Sequence, residues 1–259
     1  MNGMIIKRFF DESYPLDLAY EWDNVGLQIG TLNKPITGAL ITLDVTKEVV
    51  DEALKNNCNL IIAHHPLIFT PLKNILSDAY KGHLIEMLIK NDITVYVSHT
   101  NYDLGHSGMN TVLSEKLELH DSKILEMVSE THGIGKIGKL PKKMPLKEAV
   151  EYVKTKLEIA HGRLITHRPK KNVEVIAISG GSGASHMFEA KRQGADLYIT
   201  GDVSYHHAHD MLQMGLTGLD IGHYAEKHFA VALKTELLKY GVEFPVFESN
   251  IDLDPFTYV

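Results

Sequence analysis

The chain has 259 residues and 44% hydrophobic content, enough to bury a sizeable core in two α/β lobes. Its formal charge of −7, with no basic block longer than Pro169-Lys170-Lys171, offers no broad footprint for a phosphate backbone, so nucleic acid is not the expected partner. A single cysteine, Cys58, excludes an internal disulfide framework and a cysteine-rich zinc site. No apolar stretch nears the roughly 20 residues that span a bilayer, and no basic-then-hydrophobic leader opens the chain, so a cytoplasmic location without membrane contact is expected.

In chain order, Ala39–Leu43 reads as a strand, Lys47–Lys55 as a helix, Leu60–Ala63 as a strand, Tyr80–Lys90 as a helix and Ile93–Val97 as a strand. Apolar runs alternating with helix-period segments are the mark of βαβ units and a parallel sheet. The rhythm returns with Val173–Ile178, a helix near Ala184–Gln193, Leu197–Thr200, a helix near Tyr205–Met214, Thr217–Leu219 and a last helix from about His223 to Lys239. Phe244–Phe247 reads as one more strand. Between the halves, Gly133-Ile134-Gly135-Lys136-Ile137-Gly138 predicts an irregular strand, and Pro141-Lys142-Lys143-Met144-Pro145 a turn. The expected organisation is two lobes, 1–126 and 127–259.

Three clusters each follow an apolar run directly. His64 and His65 leave the end of Leu60–Ala63, where open α/β sheets place their ligand crevices, and Pro66 biases His65 toward extended backbone. Neighbouring side chains on extended backbone diverge, so the pair suits two different metals, although capping the strand would also use it. Asp103 closes the segment Ser98–Asp103 and is the natural bridging carboxylate, while the nearby Leu104-Gly105 keeps a plain turn role open. His223 and Glu226 stand at i and i+3 and share a face. Imidazole and carboxylate without thiolate suit a pair of divalent ions, with zinc, manganese and iron all acceptable. Three neutral histidines and two carboxylates against two divalent cations leave a positive centre, which calls for an anionic substrate.

Other residues are candidates to serve that centre. His99 fits a residue that orients a metal ligand or a proton donor, and Asp202 and His206 fit orientation or proton transfer, with a helix cap as the plain alternative for Asp202. Ser179-Gly180-Gly181-Ser182-Gly183 fits either a phosphate cradle or a simple turn. The only tryptophan lies in the polar Glu21–Leu27 segment, which fits a packed turn or a substrate loop. His83, His120, His161 and His228 read as surface residues.

At these residues the chain resembles the dinuclear-metal, hexameric family whose members are often named GTP cyclohydrolase 1 type 2 homologs. The resemblance rests on Trp22-Asp23-Asn24-Val25-Gly26-Leu27, His64-His65-Pro66, Ser98-His99-Thr100-Asn101-Tyr102-Asp103, the Gly133–Gly138 spacing, Gly180–Gly183, Thr200-Gly201-Asp202 with His206, and Gly222-His223-Tyr224-Ala225-Glu226. It implies two similar three-layer α/β lobes with the dinuclear site in the cleft between them, metal ligands His64, His65, Asp103, His223 and Glu226, and a homohexameric toroid. It further implies hydrolysis by metal-bound hydroxide of a nucleotide or related small anionic molecule, as in opening the imidazole ring of GTP. The alternative expectation is a non-enzymatic metal-binding ring that acts as a scaffold, a sensor or a nucleic-acid-associated factor.

Overall fold

The apolar runs of the first hundred residues become one sheet. In the computed structural model, which describes residues 1–258, α1 (Met4–Ser13) precedes β1 (Gly26–Ile29), β2 (Ala39–Thr42), α2 (Lys47–Lys55), β3 (Leu60–Ala63), α3 (Tyr80–Lys90) and β4 (Thr94–Val97). All residues of β2, β3 and β4 are buried, as strands covered on both faces require. Thr46 starts α2 by accepting from the Val49 amide, and Val49, Val50 and Ala53 form the buried face of that helix.

After α4 (Thr100–Asp103) and α5 (Met109–Lys116) comes a second set of elements. These are β5 (His120–Met127), β6 (Gly133–Pro145), α6 (Leu146–Lys156), β7 (Arg163–Ile165), β8 (Asn172–Ile178), α7 (Met187–Arg192), β9 (Leu197–Thr200), α8 (Tyr205–Gln213) and β10 (Gly218–Asp220). A 3₁₀ turn over His223–Lys227 leads into α9 (His228–Tyr240), and β11 (Val246–Glu248) follows. The chain is α/β throughout, with two sheets.

The described residues divide into two units: Met1–Tyr102 with Phe229–Leu253, and Asp103–His228 with 254–258. The expected boundary near residue 126 lies inside β5, and the last helix and strand return to the first unit. The reason is strand pairing at long range: β11 adds in parallel to the outer side of β2, Val246 opposite Ala39, and draws α9 with it.

The first unit holds a five-stranded sheet in the order β1-β4-β3-β2-β11. Its strands are parallel except β1, which pairs antiparallel with β4. The second unit holds a six-stranded sheet in the order β5-β6-β8-β9-β10-β7, parallel only across β8, β9 and β10. The irregular strand expected at Gly133–Gly138 is the start of β6. The turn expected at Pro141–Pro145 is a bulge in the same strand, because the ladder to β8 jumps from Lys139 to Met144 past a proline that has no N–H to give it.

In each unit, three adjacent parallel strands end on one edge. In the first, β2, β3 and β4 run in register and are followed by Asp44, His64-His65 and Ser98-His99. In the second, β8, β9 and β10 are followed by Gly180-Gly181, Gly201-Asp202 and Gly222-His223. The carboxyl edge of a parallel sheet is where such folds gather reactive groups.

Candidate metal-binding residues

On the first unit, His64, His65 and His99 each bring a ring nitrogen within 4.8 Å of the others. His64 is fully buried, its ring 4.8 Å from that of Phe229 and 6.2 Å from that of Tyr102. Every one of the three donates through Nδ1 to an oxygen that can only accept. His64 donates to the Ser98 carbonyl at 2.8 Å, His65 to Asp44 Oδ1 at 2.9 Å, and His99 to both oxygens of Asp23 at 2.9 Å. These partners put the proton on Nδ1 and make Nε2 the atom that carries the ligand lone pair, the arrangement that metal-bound histidines use.

Asp23 is the anchor of this set. Its side chain is buried, and it accepts from the Thr100 hydroxyl at 2.6 Å and the Thr100 amide at 3.1 Å as well as from His99. Burial works to raise its pKa, but the hydrogen bonds from His99 and Thr100 outweigh burial and hold it at about 2. The carboxylate therefore stays ionised at neutral pH and fixes the His99 tautomer.

On the second unit, the 3₁₀ turn decides the geometry of His223 and Glu226. Three residues per turn eclipse i and i+3, and His223 Nε2 lies 3.2 Å from Glu226 Oε2. Two ligands of one tetrahedral ion at bond lengths near 2.0–2.1 Å stand about 3.3 Å apart, so the spacing fits a shared cation. His223 Nδ1 donates to Asp202 Oδ2 at 2.7 Å, repeating the pattern of the first unit. An Asp103 carboxylate oxygen lies within 4.8 Å of one from Glu226, which is only 3% exposed. Two carboxylates this close, away from bulk water, repel unless a cation or a shared proton lies between them.

Glycine turns shape this second set. Gly181, at φ +58°, lies so close to Glu226 that a Cβ there would sit 2.7 Å from Oε1. The glycine loop at 179–183 thus makes room for a carboxylate. Gly201 is walled by backbone, with a Cβ reaching 2.7 Å from both the Gly181 oxygen and the Gly222 carbonyl carbon. Gly201→Ala is expected to cost about 1–3 kcal/mol and to displace the turns that carry Glu226 and His223. Urea unfolding together with metal content would check this; a variant as stable as wild type that binds metal equally would count against it.

The remaining expected residues fall as follows. Asp202 is not the cap of α8, since Ser204 fills that place by accepting from the His207 amide. His206 is exposed on the first turn of α8, its ring 5.5 Å from Tyr205. His99 groups with His64 and His65. His228, expected on the surface, is buried at the start of α9, where Nε2 donates to the Leu157 carbonyl at 2.9 Å and burial lowers its pKa.

Three partners had not been expected. Asp44 and Asp23 orient His65 and His99, and Asn110, buried on α5, donates to the Asp103 carbonyl at 3.3 Å while accepting from the Gly180 amide at 3.0 Å. Asp44 follows β2 at the place His65 holds after β3, so its strand-end position was a usable signal. Asp23 lies 76 residues from His99 and had none. Asp44→Asn is expected to weaken divalent-metal affinity about 10- to 100-fold with little change in fold, by competition against a calibrated chelator. Unchanged affinity would remove Asp44 from the site.

Comparisons with known proteins show the family to which the chain belongs. The sequence profile of the Duf34/NIF3 (NGG1p interacting factor 3) family matches residues 1–255. A Lactococcus lactis protein named "GTP cyclohydrolase 1 type 2 homolog" is 38% identical over 95% of each chain. A Bacillus subtilis protein of the same name is 31% identical, in a 372-residue alignment that takes in all of this chain and 99% of the relative, so the relative holds a long segment this chain lacks. The crystal structure of a Bacillus cereus protein related to NIF3 superposes with a TM-score of 0.93 at 31% identity, covering 100% of this chain and 99% of that one. The chain belongs to the Duf34/NIF3 family.

Proposed function

We propose that this protein is a metal-dependent hydrolase in which His64, His65, Asp103, His223 and Glu226 hold two divalent cations. The observation that carries the reading is the common state of four histidines, His64, His65, His99 and His223, each donating Nδ1–H to an oxygen acceptor. Core histidines satisfy themselves in many ways; a shared pattern that presents Nε2 each time is one that metal ligation uses. Zinc, manganese and iron(II) all accept this donor set. Two such cations, when bound, would supply Lewis acidity and would lower the pKa of a water toward about 7.

The chain's own residues do the rest. Asp103 would supply a carboxylate to the ions. His99, locked to Asp23 through Nδ1, offers Nε2 as a ligand or as the atom that takes and returns a proton. Asp202 orients His223, and His206 is a second proton carrier at the start of α8. The substrate is a small anion, and the relatives' name makes a nucleotide such as GTP the first to test. The working unit is a homohexamer, with metal sites facing its interior, in the cytoplasm.

Metal analysis of the purified protein, with a hydrolysis screen over nucleotides, tests the reading. About two equivalents of divalent metal in wild type, and loss of turnover in Asp103→Ala, are expected. Turnover unaffected by Asp103→Ala would reject it.

A further inference from the structure

The turn that holds the only tryptophan has so far contributed Asp23 alone. Trp22 itself is 59% exposed, and Phe69, on the segment after His65, is 45% exposed. The indole stacks on Tyr20 at 5.5 Å and 17°, and stands 6.0 Å from the Phe69 ring and 6.3 Å, edge-on, from the His99 ring. Scattered exposed aromatics need no explanation, but this group is contiguous and borders the imidazole of His99, which itself groups with His64 and His65.

It is also tethered on both sides. Asp23, the next residue, binds His99 and Thr100. Asn24 donates to the Ile68 carbonyl, while Gln28 donates to the same carbonyl at 3.2 Å and accepts from the Ile68 amide at 2.8 Å. Trp22 and Phe69 are therefore fixed to each other and to the two segments that carry His99 and His64-His65. A tethered aromatic face beside His99 is suited to one kind of guest. Planar heteroaromatic rings stack on such faces, and each base so bound gains about 1–3 kcal/mol, with little dependence on which base it is.

We propose that Trp22 and Phe69 form the stacking platform for the ring of the substrate, which is a nucleobase-like heteroaromatic compound that carries an anionic group. The inference deepens the hydrolase reading and rests on it for the anionic group, which the cations would attract. Trp22 and Phe69 act as specificity-determining residues, since a substrate with the anion but no ring would lose their contribution. The contact with Tyr20 keeps the indole face presented rather than folded onto the surface.

The metal-loaded protein can be tested with guanosine monophosphate and ribose 5-phosphate as probes. Because Trp22 is the only tryptophan, its fluorescence reports on this site alone. Saturable quenching by guanosine monophosphate, and none by ribose 5-phosphate, is expected. By calorimetry, Trp22→Leu should weaken guanosine monophosphate about 5- to 100-fold and leave ribose 5-phosphate unchanged, with Trp22→Tyr recovering most of the loss. Phe69→Ala should lower the affinity by a smaller factor.

Equal binding of the two probes, or affinity indifferent to Trp22→Leu, overturns the platform. A change of assembled mass in Trp22→Leu with unchanged nucleotide affinity also overturns it, and assigns the patch to a second copy of the chain. Trp22-dependent binding without any turnover keeps the platform and ends the hydrolase reading. Turnover with Trp22-independent binding does the reverse.

Discussion

Glu226→Ala is expected to lose divalent metal at least about 100-fold more readily than wild type, because a direct ligand contributes no less than the partners that orient one. Glu226 is almost wholly buried, faces His223 Nε2 at 3.2 Å and fills the space left by Gly180 and Gly181. Its removal takes away both a negative charge and a donor atom from the set that includes Asp103. Glu226→Gln keeps the volume and removes the charge, so it separates metal loss from collapse of the turn. Metal content after dialysis against a buffered free-metal series is the primary measurement.

Thermal unfolding supplies an independent reading of the same variant. A ligand that binds only the folded state at about 100 times its Kd adds roughly 2.7 kcal/mol of stability. A chelator should therefore lower the melting temperature of wild type and leave that of Glu226→Ala almost unmoved. Equal metal content in wild type and both variants would take Glu226 out of the site, and the two-ion assignment with it.

Phe229→Ala is expected to destabilise the protein by about 3–5 kcal/mol, with a fall in melting temperature on the order of 10 °C. Phe229 is fully buried near the start of α9, its ring edge-on to Tyr102 at 5.0 Å and tilted against His64 at 4.8 Å. The cavity would open beside the buried imidazole, which is hydrogen-bonded to the Ser98 carbonyl and packed on this ring. Metal affinity should fall together with stability. Phe229→Leu, which keeps most of the volume, should cost less than about 1.5 kcal/mol. Urea unfolding measures both, and a loss below about 1 kcal/mol in the alanine variant would show that Phe229 does not support His64.

The residues proposed as ligands were legible because their signal is local. A short, wholly apolar run followed at once by His64-His65 or by Ser98-His99 is contained in a few consecutive letters, and the parallel sheet then carries those letters to its carboxyl edge. The pairing of His223 with Glu226 was legible for the same reason, although the element there is a 3₁₀ turn rather than the helix its spacing had suggested. The bulge in β6 was half legible: glycines marked an irregular strand, but Pro141 was read as a turn when only ladder pairing could show the strand running on.

Asp23 illustrates what local reading misses. Its carboxylate serves His99 from 76 positions away, and no periodicity links the two. Composition and short-range pattern by themselves determined the α/β class, most of the strands and helices, and the residue types able to bind metal, because burial and backbone preference act over a few neighbours. Only the tertiary structure decided that β11 returns to β2, that Asp44, Asp23 and Asp202 set the histidine tautomers, and that glycine turns give Glu226 its place. Those outcomes depend on which distant segments become adjacent, and that choice is made by the packing of the whole chain.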